Sequence, residues 1–151
     1  MIDALDREIL RRLQNDGRMS ATALAAEVGL TVAPCHRRLK ELEATGAISG
    51  YRAVIDPAAV GLGFEALVFV TLAQVDRTSI DRFEAEVAAN GHITQAQRLF
   101  GDPDYILKVM AEDLTAYQQF YDTELTSLPG VLRLRSTLVM KNLKPAAGLP
   151  L

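Results

Sequence analysis

Among its 151 residues the chain has one cysteine, two histidines and no tryptophan, and it carries no excess of positive charge. A lone thiol excludes an intramolecular disulfide and fits a reducing cytoplasm. The histidines, His36 and His92, fall in different predicted domains. No phosphate loop, no Ser/His/Asp-type arrangement and no metal-ligand spacing is visible, so catalytic residues, a cofactor and a metal are not expected. Asp102 and Asp104 alone are too few ligands for a hard cation. No apolar run approaches the ~20 residues of a membrane span. The opening MIDALDREIL is acidic early and already amphipathic, unlike a signal peptide. A cytoplasmic, nucleoid-associated protein with no membrane partner is expected. The net charge of −3 argues weakly against nucleic acid.

What is present is globular: 49% hydrophobic and 23% charged residues, enough for one or two small domains with a real core. The chain is organised around residues 20–45, SATALAAEVGLTVAPCHRRLKELEAT. Ser20 suits an N-cap, because its hydroxyl can accept from an orphan N–H of the first turn. Ala21 to Val28 favours helix, and Gly29 can take the left-handed conformation that ends it. Thr31 then caps a second helix, with Pro34 in its first turn, where the missing N–H costs nothing. Helix, glycine turn and helix form the helix-turn-helix plan. On the second helix Cys35, Leu39 and Leu42 share one side with Val32 beside them. Ala33, Arg37, Lys40 and Ala44 line the other, flanked by His36. That outer face suits a DNA major groove; it also suits an ordinary solvated helix face.

Before it, Ile2, Leu5, Ile9 and Leu13 make one apolar stripe over a helix from Asp3 to Asn15, ended by Gly17. Three helices thus share one small core. Residues 1–60 carry eight Lys/Arg against eight Asp/Glu. The cations Arg37, Arg38 and Lys40 are clustered, so one copy would neutralise few phosphates and binding as an oligomer follows. Residues 47–55 contain Gly50 among strand-formers and could form a short strand pair or wing. Tyr51 and Arg52 would then lie beside DNA; the preferred reading has Tyr51 covering the helical core.

Asp56 to Gly63, with a proline and two glycines, marks a linker. Phe64 to Ala73 reads as a strand apolar on both faces, Ala66, Val68, Val70 and Leu72 against Leu67, Phe69 and Thr71. A helix capped by Thr78 or Ser79 follows, with Ile80, Phe83 and Val87 inward. Strands at 93–100 and 105–111 flank the turn Gly101-Asp102-Pro103-Asp104. Asp113 caps a helix with Leu114, Tyr117, Tyr121 and Leu125 or Leu128 inward, and a strand runs from Val131 to Met140. The order βαββαβ is the ferredoxin-like plan. Its helices cover one sheet face, and a second copy, sheet to sheet, would cover the other. The expected fold is α+β: a three-helix winged helix-turn-helix domain (1–55), a linker (56–63), a ferredoxin-like domain for effector binding and oligomerisation (64–143), and a loose tail (144–151).

Four segments in order, LDREILRRLQNDGR at 5–18, GLTVAPCHRRLKELEATGAISGY at 29–51, GDPDYILKV at 101–109 and LPGV at 128–131, give a chain that resembles the Lrp/AsnC family of transcriptional regulators. The resemblance covers Leu5 to Lys144. It implies a DNA-binding helix at Thr31 to Ala44, with contacts from Thr31, Val32, Ala33, Pro34, His36, Arg37 and Lys40. It implies an effector site at Gly101, Asp102 and Asp104, with Arg98 before the turn and Leu114, Thr126, Thr137, Leu138 and Val139 lining it. It also implies dimers through the sheet domain, often assembled to octamers, and an amino acid bound between dimers. The turn suits a zwitterion: Asp104 can accept from an ammonium group, and backbone around Gly101 can approach closely. A tight hairpin in which both acids cap their own backbone is the plainer alternative. The expected function is a sequence-specific DNA-binding transcriptional regulator whose assembly and DNA affinity respond to a small effector. The alternatives are an effector-free architectural DNA-binding protein and, third, a ferredoxin-like enzyme.

Overall fold

A computed structural model of the chain describes residues 2–144 and 148–151. Two compact units are present. One holds the residues up to Val54 together with the closing segment from Leu143; the other is Ile55–Asn142.

The first unit is built from α1 (Ala4–Asn15), α2 (Ala21–Glu27) and α3 (Val32–Ala44). Each start is set locally. Asp3 accepts the Asp6 N–H at 2.8 Å while Asp6 accepts the Asp3 N–H at 3.1 Å, a capping box. Ser20 Oγ accepts the Ala23 N–H at 3.1 Å. Gly29 sits at φ 71°, and the Leu30 N–H reaches back to the Ala25 carbonyl at 2.9 Å, the six-to-one bond of a Schellman turn. Thr31 occupies the N-cap of α3, but its hydroxyl makes no capping bond; it remains exposed on the outer side. Ile9, Leu24, Ala25, Cys35 and Leu42 form the buried core. Val32, placed beside that apolar face from the sequence, is instead 46% exposed.

Residues 47–55 form no strand pair. Tyr51 does not bury there either. Its hydroxyl donates to Glu43 at 3.1 Å and its ring edge lies near Gly17, with about half of the residue exposed. The loose tail is corrected for residues 148–151. Gln14 Nε2 donates to the Leu149 carbonyl at 3.2 Å, and the Leu149 N–H donates back to Gln14. Arg11 Nε and Nη2 donate to the Leu151 carbonyl at 3.1 and 2.6 Å. Proline and glycine prevent a helix or strand here, but main-chain groups still find two side chains spaced i, i+3 on α1. Pro145, Ala146 and Ala147 lie outside the described residues.

The second unit orders β1 (Phe64–Leu72), α4 (Arg77–Ala89), β2 (Ile93–Arg98), β3 (Tyr105–Ala111), α5 (Leu114–Thr123) and β4 (Val131–Leu138) into an antiparallel sheet β2-β3-β1-β4, the ferredoxin-like arrangement. Ala66, Val68, Val70 and Leu72 are buried on one face with Tyr105, Leu107 and Val109 of β3, against Phe83, Val87, Tyr117 and Phe120. On the other face Leu67, Phe69 and Thr71 are only half-buried. The Arg135 guanidinium stacks over the Phe69 ring there, 4.8 Å from its centre.

Three local readings are corrected. The α4 cap is Asp76, not Thr78 or Ser79, because one carboxylate takes both the Ser79 N–H (3.1 Å) and the Ser79 hydroxyl (2.7 Å). On α5 Phe120 is buried, whereas Leu114, in the first helical position after the Asp113 cap, is 57% exposed. Strand β2 stops at Arg98 rather than Phe100, because the Leu99 N–H goes to the Asp104 carbonyl at 2.7 Å and closes the turn.

Candidate DNA-binding helix and ligand-binding turn

Helix α3 presents Thr31, Val32, Ala33, His36, Arg37 and Lys40 to solvent, with Pro34 half-buried in its first turn. The two small residues and the glycine turn before them leave the helix start open to close approach. Arg37 makes no hydrogen bond or ion pair among the described residues. Lys40 pairs only with Glu43, at 3.2 Å on the surface, where such pairs are weak and readily exchanged. That lysine, then the Tyr51 hydroxyl, holds the Glu43 carboxyl below the usual carboxylate range. Arg38 departs from the cluster read in the sequence. Its Nη1 lies 2.7 Å from Asp3 and 2.8 Å from Asp6, so it faces α1. The outward cations are therefore Arg37 and Lys40.

In the second unit the turn is tied to the sheet by Asp104. Its N–H donates to the Val70 carbonyl at 3.0 Å, and its Oδ2 accepts the Leu72 N–H at 2.7 Å. The carboxylate thus caps a neighbouring strand and keeps one oxygen for another partner. Asp102 is exposed, 3.8 Å from Arg133. Asp102 and Arg133, together with Phe69, Thr71, Pro103 and Arg135, line a concavity of about 170 Å³ on the uncovered sheet face. Arg133 and Arg135 were not picked out from the sequence, although strand alternation puts both on that face with Thr137. Arg98 belongs elsewhere. It pairs opposite Tyr105 and meets Glu84 at 3.1 Å, in a cleft of about 450 Å³ between α4 and β2. Tyr105, buried there and donating to Glu84 at 2.9 Å, has its hydroxyl pushed up to about 12 by burial first.

The remaining predicted residues are not brought to the turn. Thr126 spends its hydroxyl on the Asp122 carbonyl at 2.8 Å. Thr137 and Leu138 pair with Leu67 and Ala66 near the start of β1, and the Val139 N–H donates to Glu65. The turn hangs from Val70 and Leu72, at that strand's other end. Leu114, three residues beyond the end of β3, belongs with the first group, since Ala111 pairs with Phe64.

A compact three-helix unit with an exposed cationic helix after a glycine turn, followed by a ferredoxin-like sheet domain, defines a helix-turn-helix DNA-binding protein with an appended domain. The chain belongs to the Lrp/AsnC family of transcriptional regulators: the AsnC-type helix-turn-helix domain matches residues 2–43 and the Lrp/AsnC ligand binding domain matches residues 65–149. It is similar to the leucine-responsive regulatory protein of Rhizobium meliloti, 36% identical over 96% of this chain and 93% of that one. It is 34% identical to the DNA-binding transcriptional activator DecR of Escherichia coli K12, over 100% and 99% of the two chains. Among solved structures, a transcriptional regulator of Neisseria meningitidis in complex with L-Met matches with a TM-score of 0.94 at 33% identity, over 99% of this chain and 97% of that one. Among the described residues no helix is long and apolar enough to cross a membrane.

Proposed function

We propose that this regulator reads DNA through α3 and that a free amino acid, held by its sheet domain, sets its assembly and its affinity for DNA. The observation that carries the reading is the outer row of α3. Arg37 and Lys40 stand beside Ala33 and the free Thr31 hydroxyl, with Arg37 unengaged by any described group. Thr31, Val32, Ala33, Pro34, His36, Arg37 and Lys40 are the proposed contacts. The division proposed is a DNA-binding domain at 1–55, a linker at 56–63 and an effector domain at 64–143, in a cytoplasmic protein without enzymatic activity. Two copies would pack their uncovered sheet faces, Leu67 and Phe69 inward, and dimers would assemble further, to octamers. Two recognition helices would then sit on half-sites about one helical turn or a multiple apart.

The amino acid is argued from two sides. A relative is solved with L-Met, and others are named for leucine. The turn offers an unspent Asp104 oxygen, close backbone at Gly101, and the Asp102, Arg133 and Arg135 side chains. The test is a thermal-shift screen of the purified chain against the free amino acids. At a hundredfold excess over Kd a native-state ligand adds about 2.7 kcal/mol. A shift with one amino acid, accompanied by a change in affinity for a duplex selected from random sequence, is expected. DNA binding with no shift from any amino acid would favour the effector-free architectural reading.

A further inference from the structure

Arg38 is the one cation of α3 that points inward, and its surroundings are unusually complete. Asp3 and Asp6 each use one carboxylate oxygen for the capping box of α1: Asp3 Oδ1 takes the Asp6 N–H, and Asp6 Oδ2 takes the Asp3 N–H. The other oxygen of each carboxylate takes Arg38 Nη1, at 2.7 and 2.8 Å. All four oxygens are engaged, and the guanidinium is shared between two acids whose own positions are locked by the helix start. The latch is partly sheltered: the side chains of Asp6, Arg38 and Asp3 are 13%, 31% and 50% exposed. Among the described residues the core beneath has five buried members with six half-buried ones around them, and the latch adds a directional constraint that apolar packing lacks.

We infer that Arg38 is a positioning residue of the DNA-binding helix: it fixes the rotation of α3 against the start of α1 and does not itself touch DNA. Neighbouring residues on a helix are separated by about 100°. Holding Arg38 on α1 therefore sets where Arg37, Ala33 and Lys40 point. Without the latch α3 keeps its cations but loses their registration on base edges. Specific binding needs that registration; sequence-independent binding to phosphates does not. The inference rests on the reading that α3 enters the groove.

The test measures the full chain against a duplex selected from random sequence and against an unrelated duplex, each over a series of salt concentrations. The variants are Arg38→Gln, Asp6→Asn, their combination, and Arg37→Gln. Asp6→Asn keeps an acceptor for the capping box, so it carries the test if Arg38→Gln does not fold. Arg38→Gln is expected to lower the ratio of specific to unrelated affinity about tenfold or more, the scale of one lost base contact. The salt slope on unrelated DNA should stay as it was. Asp6→Asn should lower the ratio similarly, although removing a negative charge by simple electrostatics would strengthen binding to DNA. The double variant should be no worse than the poorer single, since both break one latch. A salt slope reduced by about 0.9 per subunit in Arg38→Gln would make Arg38 a phosphate contact and overturn the inference. An unchanged ratio in Asp6→Asn would also overturn it. Failure of the underlying reading looks different: Arg37→Gln would then leave both ratio and slope intact.

Discussion

Asp104 is asked to do two jobs, and replacing it in two ways separates them. Its Oδ2 accepts the Leu72 N–H at 2.7 Å, pinning the turn to the end of β1, and its backbone bonds to Val70 and Leu99 complete the junction. A hydrogen bond to a charged acceptor contributes about 1.5–3 kcal/mol, and removing the acceptor leaves the strand N–H without a partner. Asp104→Ala should therefore lower the thermal midpoint of the sheet domain by on the order of 10 °C, at ~4–8 °C per kcal/mol for a domain of this size. Asp104→Asn keeps a carbonyl oxygen for Leu72 and should cost about half as much. An amino-acid ammonium group, by contrast, needs the charge. If the unspent oxygen of Asp104 receives it, both variants lose the ligand-induced shift, however different their starting stabilities. Calorimetry with and without the amino acid identified in the screen reads both effects. A full ligand shift in Asp104→Asn would refute the ligand role and leave Asp104 purely structural. A native midpoint in Asp104→Ala would refute the structural one.

Two further outcomes are expected. Leu67→Arg, on the uncovered sheet face directly opposite Lys108 and Thr137, adds a cation to a face that already carries Lys108, Arg133 and Arg135 where sheets would meet. Burying an unpaired charge costs several kcal/mol, so the dimer dissociation constant should rise at least about a hundredfold by sedimentation equilibrium, and an unchanged constant would move the interface elsewhere. A side chain at position 148 would meet the Gln14 amide at 2.7 Å, so Gly148→Val should push that flexible amide aside and break its bonds to Leu149. Faster hydrogen exchange of the Leu149 amide is the expected readout, and an unchanged rate would show that Gln14 does not hold the segment.

The features legible in the sequence are those decided within a few residues. Asp3, Ser20, Asp113 and Gly29 each act on backbone one turn away, and the two apolar faces of β1 follow from alternation alone. What escaped depends on partners far along the chain. Arg38 reads as one more cation of a basic helix, because its acids lie 35 and 32 positions earlier. The closing Gly-Leu-Pro-Leu reads as loose because its partners on α1 are 135 and 140 positions away. Asp76 lost to Thr78 and Ser79 on paper only because three capping residues stand almost side by side. Arg133 and Arg135 are legible in the sequence as well, since their alternation with Thr137 names their face.

The proposed effector residues divide along the sheet in a way that bears on how a response would work. Thr137, Leu138 and Val139 sit by the start of β1, and Asp102 and Asp104 hang from its end. Leu67 and Leu72 are five positions apart, about 16 Å at ~3.3 Å per residue. The concavity beside the turn reaches back as far as Phe69 and Arg135, two positions from Leu67 and Thr137 on the same face. We propose that the two ends act as partial sites that a second copy completes. A two-fold axis sets unlike ends of identical surfaces against each other, so the start of one sheet can meet the turn of another copy. A ligand whose site is completed only by two chains necessarily binds the assembled form more tightly than the separate chains. It then shifts assembly by that difference and by nothing else. Under that proposal the response to an amino acid and the oligomeric state would be one equilibrium, and the number of helices delivered to DNA would be what the ligand changes.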